Sequence, residues 1–241
     1  MRRVIFRSVP KLDYGTTESI NTLCTNITFC GSDTKAILLT SCREHEGKSS
    51  ITLSAWRTLA SMGYSTVLID ADLRRSLLSS RYGIQYPDGK EGLSHYLSRD
   101  KIGIKDIVYQ TNMKDAFFVP CGHDVANSIT LLSNTRFGEL IRELKEEFDY
   151  ILIDTPPVGA IVDAASVAKW CDGALLVVTQ NGVKNQEVLY AKEQIEKSNC
   201  PVIGAILNKV KMDRTSSRYY NRAYYAAYYS NYYSKRERDD G

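Results

Sequence analysis

The sequence lacks the features that would direct it out of a cell or into a membrane. Within its 241 residues, no run approaches the roughly 18 apolar residues of a membrane-spanning helix. The opening MRRVIFRSVP is too short, and too soon interrupted by polar residues, to be a secretory signal peptide. We therefore expect a cytoplasmic protein.

Cysteine spacing and net charge also argue against several functions. The six cysteines show no CxxC spacing and no nearby histidine partners, so a zinc site or a disulfide framework has no support. The formal net charge is only +3, which gives no reason to expect a nucleic-acid partner. The chain is long enough for one substantial domain with an ample core, and we expect one domain with tails.

Short apolar runs alternate with helical patterns from Lys35 onward. The runs are AILLT, TVLID, AFFVP, YILIDTPP, GALLVVT and PVIGAILN, and the clearest helix is SNTRFGELIRELKEEF. Buried parallel strands have continuous Val, Ile and Leu runs, and their crossovers require helices. The pattern predicts an α/β fold with a doubly wound, mostly parallel sheet over residues 35–210. Residues 74–106 interrupt the alternation and are expected to form an elaborated crossover with short helices.

Both ends of the chain differ from this central region. Residues 1–34 are polar and mixed, and TTESINTLCTNITF within them predicts a helix. Residues 211–241 are charged, small and aromatic, which predicts a flexible C-terminal tail. This tail holds eight of the sixteen tyrosines but has no Leu, Ile or Phe, so an ordinary core is an improbable place for it.

A phosphate-binding loop is predicted between the first strand and the helix that follows it. AILLTS leads into CREHEGKSS and then into ITLSAWRTLASMG, which is the strand, loop and helix order of a P-loop NTPase. Loop N–H groups and the helix N-terminus would face the phosphates, with Lys48 at the β- and γ-phosphates and the Ser49 hydroxyl on Mg²⁺. The match is imperfect, because Cys42 replaces the usual first glycine. The predicted nucleotide-binding residues here are Glu46, Gly47, Lys48, Ser49 and Ser50.

Acidic residues end two further apolar strands. Asp70 and Asp72 follow one strand, and Asp154 ends another. Ligands collect at the carboxyl ends of strands in an open α/β sheet, so these acids should meet Lys48 and Ser49 in one crevice. A hard cation with phosphate oxygens needs one or two carboxylates and water, and Asp70, Asp72 and Asp154 can supply the carboxylates for a bound Mg²⁺.

The last strand supplies a candidate for recognition of the base. Asn208 lies at its end, where a carboxamide could read adenine by donating and accepting hydrogen bonds together. Guanine-binding proteins of the small GTPase type use NKxD, whose aspartate accepts from the guanine. Lys211 stands at that fourth place here, so ATP is favoured over GTP.

Several segments, in order, resemble the bacterial tyrosine kinases of capsule and exopolysaccharide biosynthesis. They are LLTSCREHEGKSS, VLIDADLRRS, GLSHYL, LLSNTRFGELI and FDYILIDTPPV, followed by the tyrosine-rich end. IDADLRR and IDTPP together are specific to this group and its relatives among the ParA/MinD-type ATPases, and the tail singles out the kinases. The likeness covers about residues 14–233 and is closest to the form whose kinase domain is separate from its membrane-spanning activator.

The resemblance implies an ATP- and Mg²⁺-dependent protein-tyrosine kinase that autophosphorylates in trans and regulates polysaccharide synthesis and export. Lys48 would neutralise phosphates, Asp70 would accept the phenol proton, and Asp72 and Asp154 would hold the metal. The implied partners are other copies of the chain, a cognate tyrosine phosphatase and a membrane-spanning polysaccharide copolymerase that holds the kinase at the inner face of the membrane. The implied phosphorylation sites are Tyr219, Tyr220, Tyr224, Tyr225, Tyr228, Tyr229, Tyr232 and Tyr233.

Two departures from the family pattern accompany the resemblance. Glu44 and His45 replace the proline and flexible glycine of PGEGK[ST], so a positive φ at residue 45 would strain the loop. In the N-terminal helix, Glu18 matches the family's ExxRxxR oligomerisation motif, but Asn21 and Cys24 replace its arginines. Three alternatives stay open: a ParA/MinD-type ATPase switch, a non-catalytic regulator of polysaccharide export, and a tail that serves as an aromatic docking helix.

Overall fold

A computed structural model describes residues 2–87, 89–99, 101–158 and 163–210. The predicted phosphorylation sites between residues 219 and 233 lie outside these ranges. Contacts within residues 1–208 form one compact unit.

Within the described residues, seven strands form one sheet. The strands are β1 (Ala36–Ser41), β2 (Thr66–Asp70), β3 (Tyr109–Gln110), β4 (Ala116–Val119), β5 (Tyr150–Asp154), β6 (Gly173–Thr179) and β7 (Val202–Asn208). Their order in the sheet is β3-β4-β2-β5-β1-β6-β7. All neighbouring strands are parallel except β3 and β4, which confirms the mostly parallel, doubly wound sheet. Six of the strands coincide with the six apolar runs, and β3 is the addition that the sequence pattern did not predict.

Helices connect the strands and cover the sheet. Among its described residues, the crossover over residues 74–106 contains three short helices, as expected, the last of which extends to Ile107, and the strongest helical pattern forms the helix Thr135–Glu147. The helices are α1 (Tyr14–Thr28), α2 (Lys48–Ser61), α3 (Leu78–Arg81), α4 (Leu93–Ser98), α5 (Ile104–Ile107), α6 (Ser128–Leu132), α7 (Thr135–Glu147), α8 (Asp163–Ala168) and α9 (Asn185–Glu196).

The first residues of the chain contribute to the core, which their polar surroundings did not indicate. Val4 and Phe6 are buried, and the Phe6 ring centroid lies 5.5 Å from that of Trp56 on α2 and 5.4 Å from that of Phe118 on β4. Arg3 forms a parallel β-bridge with Gln110. This N-terminal segment therefore closes one side of the sheet near β3 and β4.

Helix α1 packs on α2 through the face that carries Cys24. Cys24 is fully buried, and its thiol donates to the carbonyl of Ala55 at 3.4 Å. Asn21 donates instead to the Glu18 carboxylate on the exposed side of the helix, at 3.4 Å. Position 24 thus faces the core, where an arginine could not be accommodated in this helix orientation. Among the described residues, no helix is both long and apolar enough to cross a bilayer.

Candidate functional site

The loop between β1 and α2 has the backbone shape that phosphate binding requires. Gly47 precedes α2 with a φ of 87°, and among the described residues no side chain caps the helix there. The first N–H groups of α2 therefore remain available to an anion, at the positive end of the helix dipole. His45 has a φ of 62°, which is the left-handed conformation in which strain is expected for a residue other than glycine.

Glu46 and Asn208 lie together at the base of the loop. The buried Glu46 carboxylate accepts from the N–H groups of Arg43 and Thr179, each at 2.9 Å. The Asn208 amide donates to the Glu46 carbonyl oxygen at 2.7 Å. The ends of β6 and β7 are thereby joined to the loop.

A buried ion pair connects the loop to β5. Lys48 Nζ lies 2.7 Å from Asp154 Oδ1, and the two side chains are only 9% and 2% exposed. Lys48 also donates to Ser49 Oγ at 3.0 Å, and Thr52 Oγ1 lies 3.3 Å from Asp154 Oδ1. The predicted phosphate-binding lysine and the predicted metal-binding carboxylate are therefore in direct contact.

Asp70 lies beside this pair on the neighbouring strand. β2 and β5 are parallel, and their register aligns Asp70 with Asp154. Asp70 is fully buried, and its Oδ2 accepts from the Ser76 hydroxyl. Its Oδ1 has no hydrogen-bond partner within the described ranges. Burial raises the pKa of Asp70 to about 7; the Ser76 hydrogen bond opposes this rise, and the negative charges of Asp154 and Asp72 add to it.

Asp72 is held by the turn that follows β2. Its Oδ1 accepts from the N–H groups of Arg74 and Arg75, at 3.3 and 3.0 Å. Burial raises the pKa of Asp72, and the hydrogen bond from the Arg75 N–H is the largest opposing effect. The charges of Lys48 and Asp154 also influence this pKa, so Asp72 belongs to the same electrostatic neighbourhood.

The site brings together the residues predicted from separate strands. Lys48 and Ser49 contact each other, Lys48 contacts Asp154, and Asp70 lies in register with Asp154. Ser50 is located at the same helix start, where the Tyr82 hydroxyl donates to its Oγ at 3.4 Å. No cluster of three or more His, Cys, Asp and Glu ligands occurs among the described residues. A site with few carboxylates is compatible with Mg²⁺, which takes much of its coordination from water and phosphate oxygens.

Sequence patterns missed the residues that support these groups. Ser76 binds Asp70, although nothing in DLRRS distinguishes its hydroxyl from that of an exposed serine. Asp163 is fully buried at the start of α8, and its Oδ2 accepts from Arg74 Nε at 3.0 Å and from the Ser128 hydroxyl. Arg74 thus connects the turn after β2 to α8. These contacts depend on tertiary structure and had no local pattern.

Comparisons with known proteins agree with this geometry. The family model described as an AAA domain matches residues 35–200. The tyrosine-protein kinase CpsD of Streptococcus agalactiae is 43% identical over 195 residues, covering 81% of this chain and 83% of that protein. The structure of the BceF tyrosine kinase domain is 32% identical with a TM-score of 0.72, covering 81% of this chain and 78% of that one.

A more distant structure shares the fold alone. The septum site-determining protein MinD of Pyrococcus horikoshii is 24% identical with a TM-score of 0.64, covering 75% of this chain and 72% of that one. The fold and site thus define a P-loop protein of the AAA class. Within that class, the chain belongs to the family of bacterial tyrosine-protein kinases that includes CpsD.

Proposed function

We propose that this chain transfers the γ-phosphoryl group of ATP to tyrosines in its own C-terminal cluster, in trans between copies. The observation that carries the proposal is the convergence of Lys48, Asp154 and Asp70 beside a phosphate loop with a free helix start. Phosphoryl transfer depends mainly on positioning and on compensation of negative charge, and this arrangement can supply both.

The nucleotide would bind across the loop and the start of α2. Lys48 and the N–H groups at Gly47, Ser49 and Ser50 would bind phosphate oxygens, and Asn208 would offer its Oδ1 to the adenine amino group. Ser49, Asp72 and Asp154 would hold Mg²⁺, which would neutralise phosphate charge when bound. The structure of Pyrococcus horikoshii MinD, which shares the fold, is a complex with Mg-ADP.

Asp70 is the proposed acceptor of the phenol proton. A tyrosine oxygen would attack the γ-phosphorus as the bond to the β–γ bridging oxygen breaks, ADP would leave, and the proton would pass to an Asp70 oxygen. The unpartnered Oδ1 is available for this hydrogen bond, while Ser76 holds Oδ2. A pKa near 7 suits a group that must take up and release a proton near neutral pH.

The tyrosine tail and the protein partners complete the proposal. The acceptors would be the tyrosines between residues 219 and 233, each gaining about −1.5 to −2 charges on phosphorylation, which could control assembly of copies. A membrane-spanning polysaccharide copolymerase would activate the kinase at the inner face of the membrane, and a cognate phosphatase would reverse the reaction. The role in capsule or exopolysaccharide synthesis follows from the family resemblance.

Incubation of the purified chain with ATP and Mg²⁺, followed by mass spectrometry, tests the proposal. We expect phosphotyrosine within residues 219–233, lost in Lys48→Ala. Mixing the Lys48→Ala chain with a tail-truncated wild-type chain tests transfer in trans, because only the inactive chain then carries acceptors. Free phosphate without phosphotyrosine would indicate an ATPase switch, and neither product, even with the cytoplasmic segment of an activator, would indicate a non-catalytic regulator.

A further inference from the structure

The Glu46 carboxylate is engaged by main-chain N–H groups of the protein itself. It is 4% exposed, and both of its oxygens already accept main-chain hydrogen bonds. One bond comes from Arg43 within the loop, and the other comes from Thr179, the last residue of β6. A carboxylate that bound nucleotide directly would have to give up both bonds and leave two N–H groups without partners.

Asn208 holds the same residue from the other side. It is the last residue of β7, and its Nδ2 donates to the Glu46 carbonyl at 2.7 Å. The approach is so close that a Cβ added at Gly47 would lie 2.2 Å from Asn208 Nδ2. Gln180, beside Thr179, donates its N–H to the Asn208 carbonyl at 2.9 Å, which joins the two strand ends beneath the loop.

We propose that Glu46 and Asn208 form a clamp that keeps the phosphate loop in its binding conformation before any nucleotide arrives. Both act as positioning residues: Glu46 through the N–H groups of Arg43 and Thr179, and Asn208 through the Glu46 carbonyl. The left-handed conformation of His45 costs free energy, so the loop by itself would favour other backbone conformations. The hydrogen bonds of the clamp oppose this tendency. The effect on catalysis rests on the proposed kinase function, whereas the effect on loop order does not.

The clamp needs the carboxylate specifically. Each Glu46 oxygen accepts one N–H, whereas the amide of Glu46→Gln offers one acceptor oxygen and turns an NH₂ group toward the second N–H donor. The substitution keeps the shape but replaces one hydrogen bond with two opposed donors. Glu147→Gln is the matched control, because Glu147 is exposed at the end of α7.

Hydrogen exchange in the nucleotide-free protein tests loop order without any kinase reaction. Glu46→Gln is expected to lower protection of the Arg43 and Thr179 amides about tenfold or more, while Glu147→Gln leaves them unchanged. Wild-type protection of these amides in Glu46→Gln would overturn the proposal. If that variant does not fold, Asn208→Ala supplies the same comparison through the amides of residues 43–47.

Binding of two ligands, with Mg²⁺ present, separates the clamp from base recognition. Calorimetric titration with ATP and with inorganic tripolyphosphate is expected to show about 10- to 100-fold weaker binding of both in Glu46→Gln. Asn208→Ala should weaken tripolyphosphate binding about threefold to tenfold, although this ligand has no base. If Asn208→Ala weakens ATP alone, Asn208 acts on the base and its place in the clamp is wrong.

Autophosphorylation then distinguishes a positioning role from a catalytic one. In Glu46→Gln the KM for ATP should rise with its Kd, while kcat at saturating ATP should change less than about threefold. A fall in kcat at unchanged KM would contradict the clamp and place the carboxylate in the reaction. If the wild-type chain binds ATP but forms no phosphotyrosine, the kinase proposal fails, and the exchange and binding results still decide the clamp.

Discussion

The two halves of the site differ in how far their polar groups are satisfied. In the phosphate loop, Glu46 bonds two N–H groups and Asn208 bonds a carbonyl, so these polar groups are satisfied within the protein. In the acidic half, at the ends of β2 and β5, Asp70 has a buried oxygen without a partner among the described residues, and Asp154 relies on Lys48.

This contrast indicates which half a ligand would stabilise. Among the described residues, Lys48 is the lysine whose charge influences both Asp70 and Asp72, and it also pairs with Asp154, so three carboxylates lie beside one cation. A proton or a divalent cation would compensate for that charge. A bound nucleotide would add little structural order to the loop. A cation bound in the acidic half would lower the electrostatic free energy more strongly, because buried charges are costly when unpaired.

Breaking the Lys48–Asp154 pair should have the largest effect on stability. Lys48→Met leaves Asp154 buried without its cation, and we expect a loss of about 3–5 kcal/mol in the free energy of unfolding. Urea denaturation in EDTA measures it. Adding Asp154→Asn should recover part of the loss, because the uncompensated charge is then removed.

An exposed ion pair provides the control. Lys192 and Glu196 lie 3.6 Å apart on α9 with half-exposed side chains, and Lys192→Met should change stability by no more than about 0.5 kcal/mol. If Lys48→Met were equally mild, the acidic half would not depend on this pair.

Replacing Asp70 should change how stability depends on pH. The pKa of Asp70 is about 7 in the folded protein and about 4 in an unfolded chain, so the folded state binds more protons between these values. Its stability should therefore fall as pH rises from about 4 to about 7. Asp70→Asn removes this dependence and should be more stable than wild type at pH 8, by something on the order of 3 kcal/mol, but not at pH 4.

Thermal unfolding in EDTA at several pH values measures this difference. Asp33→Asn, at an exposed position before β1, controls for the general effect of losing a carboxylate. A stability gap between Asp70→Asn and wild type that does not change with pH would show that Asp70 is not held in a raised-pKa state.

Gly47→Ala should break the loop half through steric contact. Gly47 and Gly63 both have left-handed φ values, of 87° and 95°, so alanine is strained at either position. The new Cβ meets Asn208 at 2.2 Å only at Gly47, since no described atom lies within 4 Å at Gly63. We expect Gly63→Ala to cost about 1 kcal/mol and Gly47→Ala about 1–2 kcal/mol more. Equal losses in urea denaturation would mean that the Asn208 contact yields without cost.

The sequence could predict the strands and the acids at their ends, because both follow from local patterns. Continuous apolar runs identified six strands, and parallel strands necessarily bring their carboxyl ends to one edge, which placed Asp70 beside Asp154. The two-residue strand β3 was missed because it is too short to show a period. The burial of Val4 and Phe6 was missed because it depends on contacts with distant residues such as Trp56.

The directions of side chains in the site also could not be predicted from the sequence. Glu46 was predicted to bind nucleotide because it precedes Gly47 and Lys48, and no local pattern indicates that its carboxylate reaches Thr179 on β6. The contact of Ser76 with Asp70 was equally unpredictable, because the turn after β2 determines where the Ser76 hydroxyl points. By contrast, the left-handed backbone at His45 was predictable, because a loop glycine of the family is replaced there and the observed φ is 62°.

The smallest expected effect concerns that strain. His45→Gly removes the backbone strain of a left-handed residue but increases the conformational entropy of the unfolded chain. These opposing effects should leave a net gain in the free energy of unfolding of about 0.5 kcal/mol or less. Glu44→Gly is the matched comparison, because Glu44 has a negative φ and glycine there adds only the entropic cost. The difference between the two variants in urea denaturation, about 1 kcal/mol in favour of His45→Gly, isolates the strain. If the two lose stability equally, residue 45 is not strained, and the clamp beneath the loop has no opposing strain to counteract.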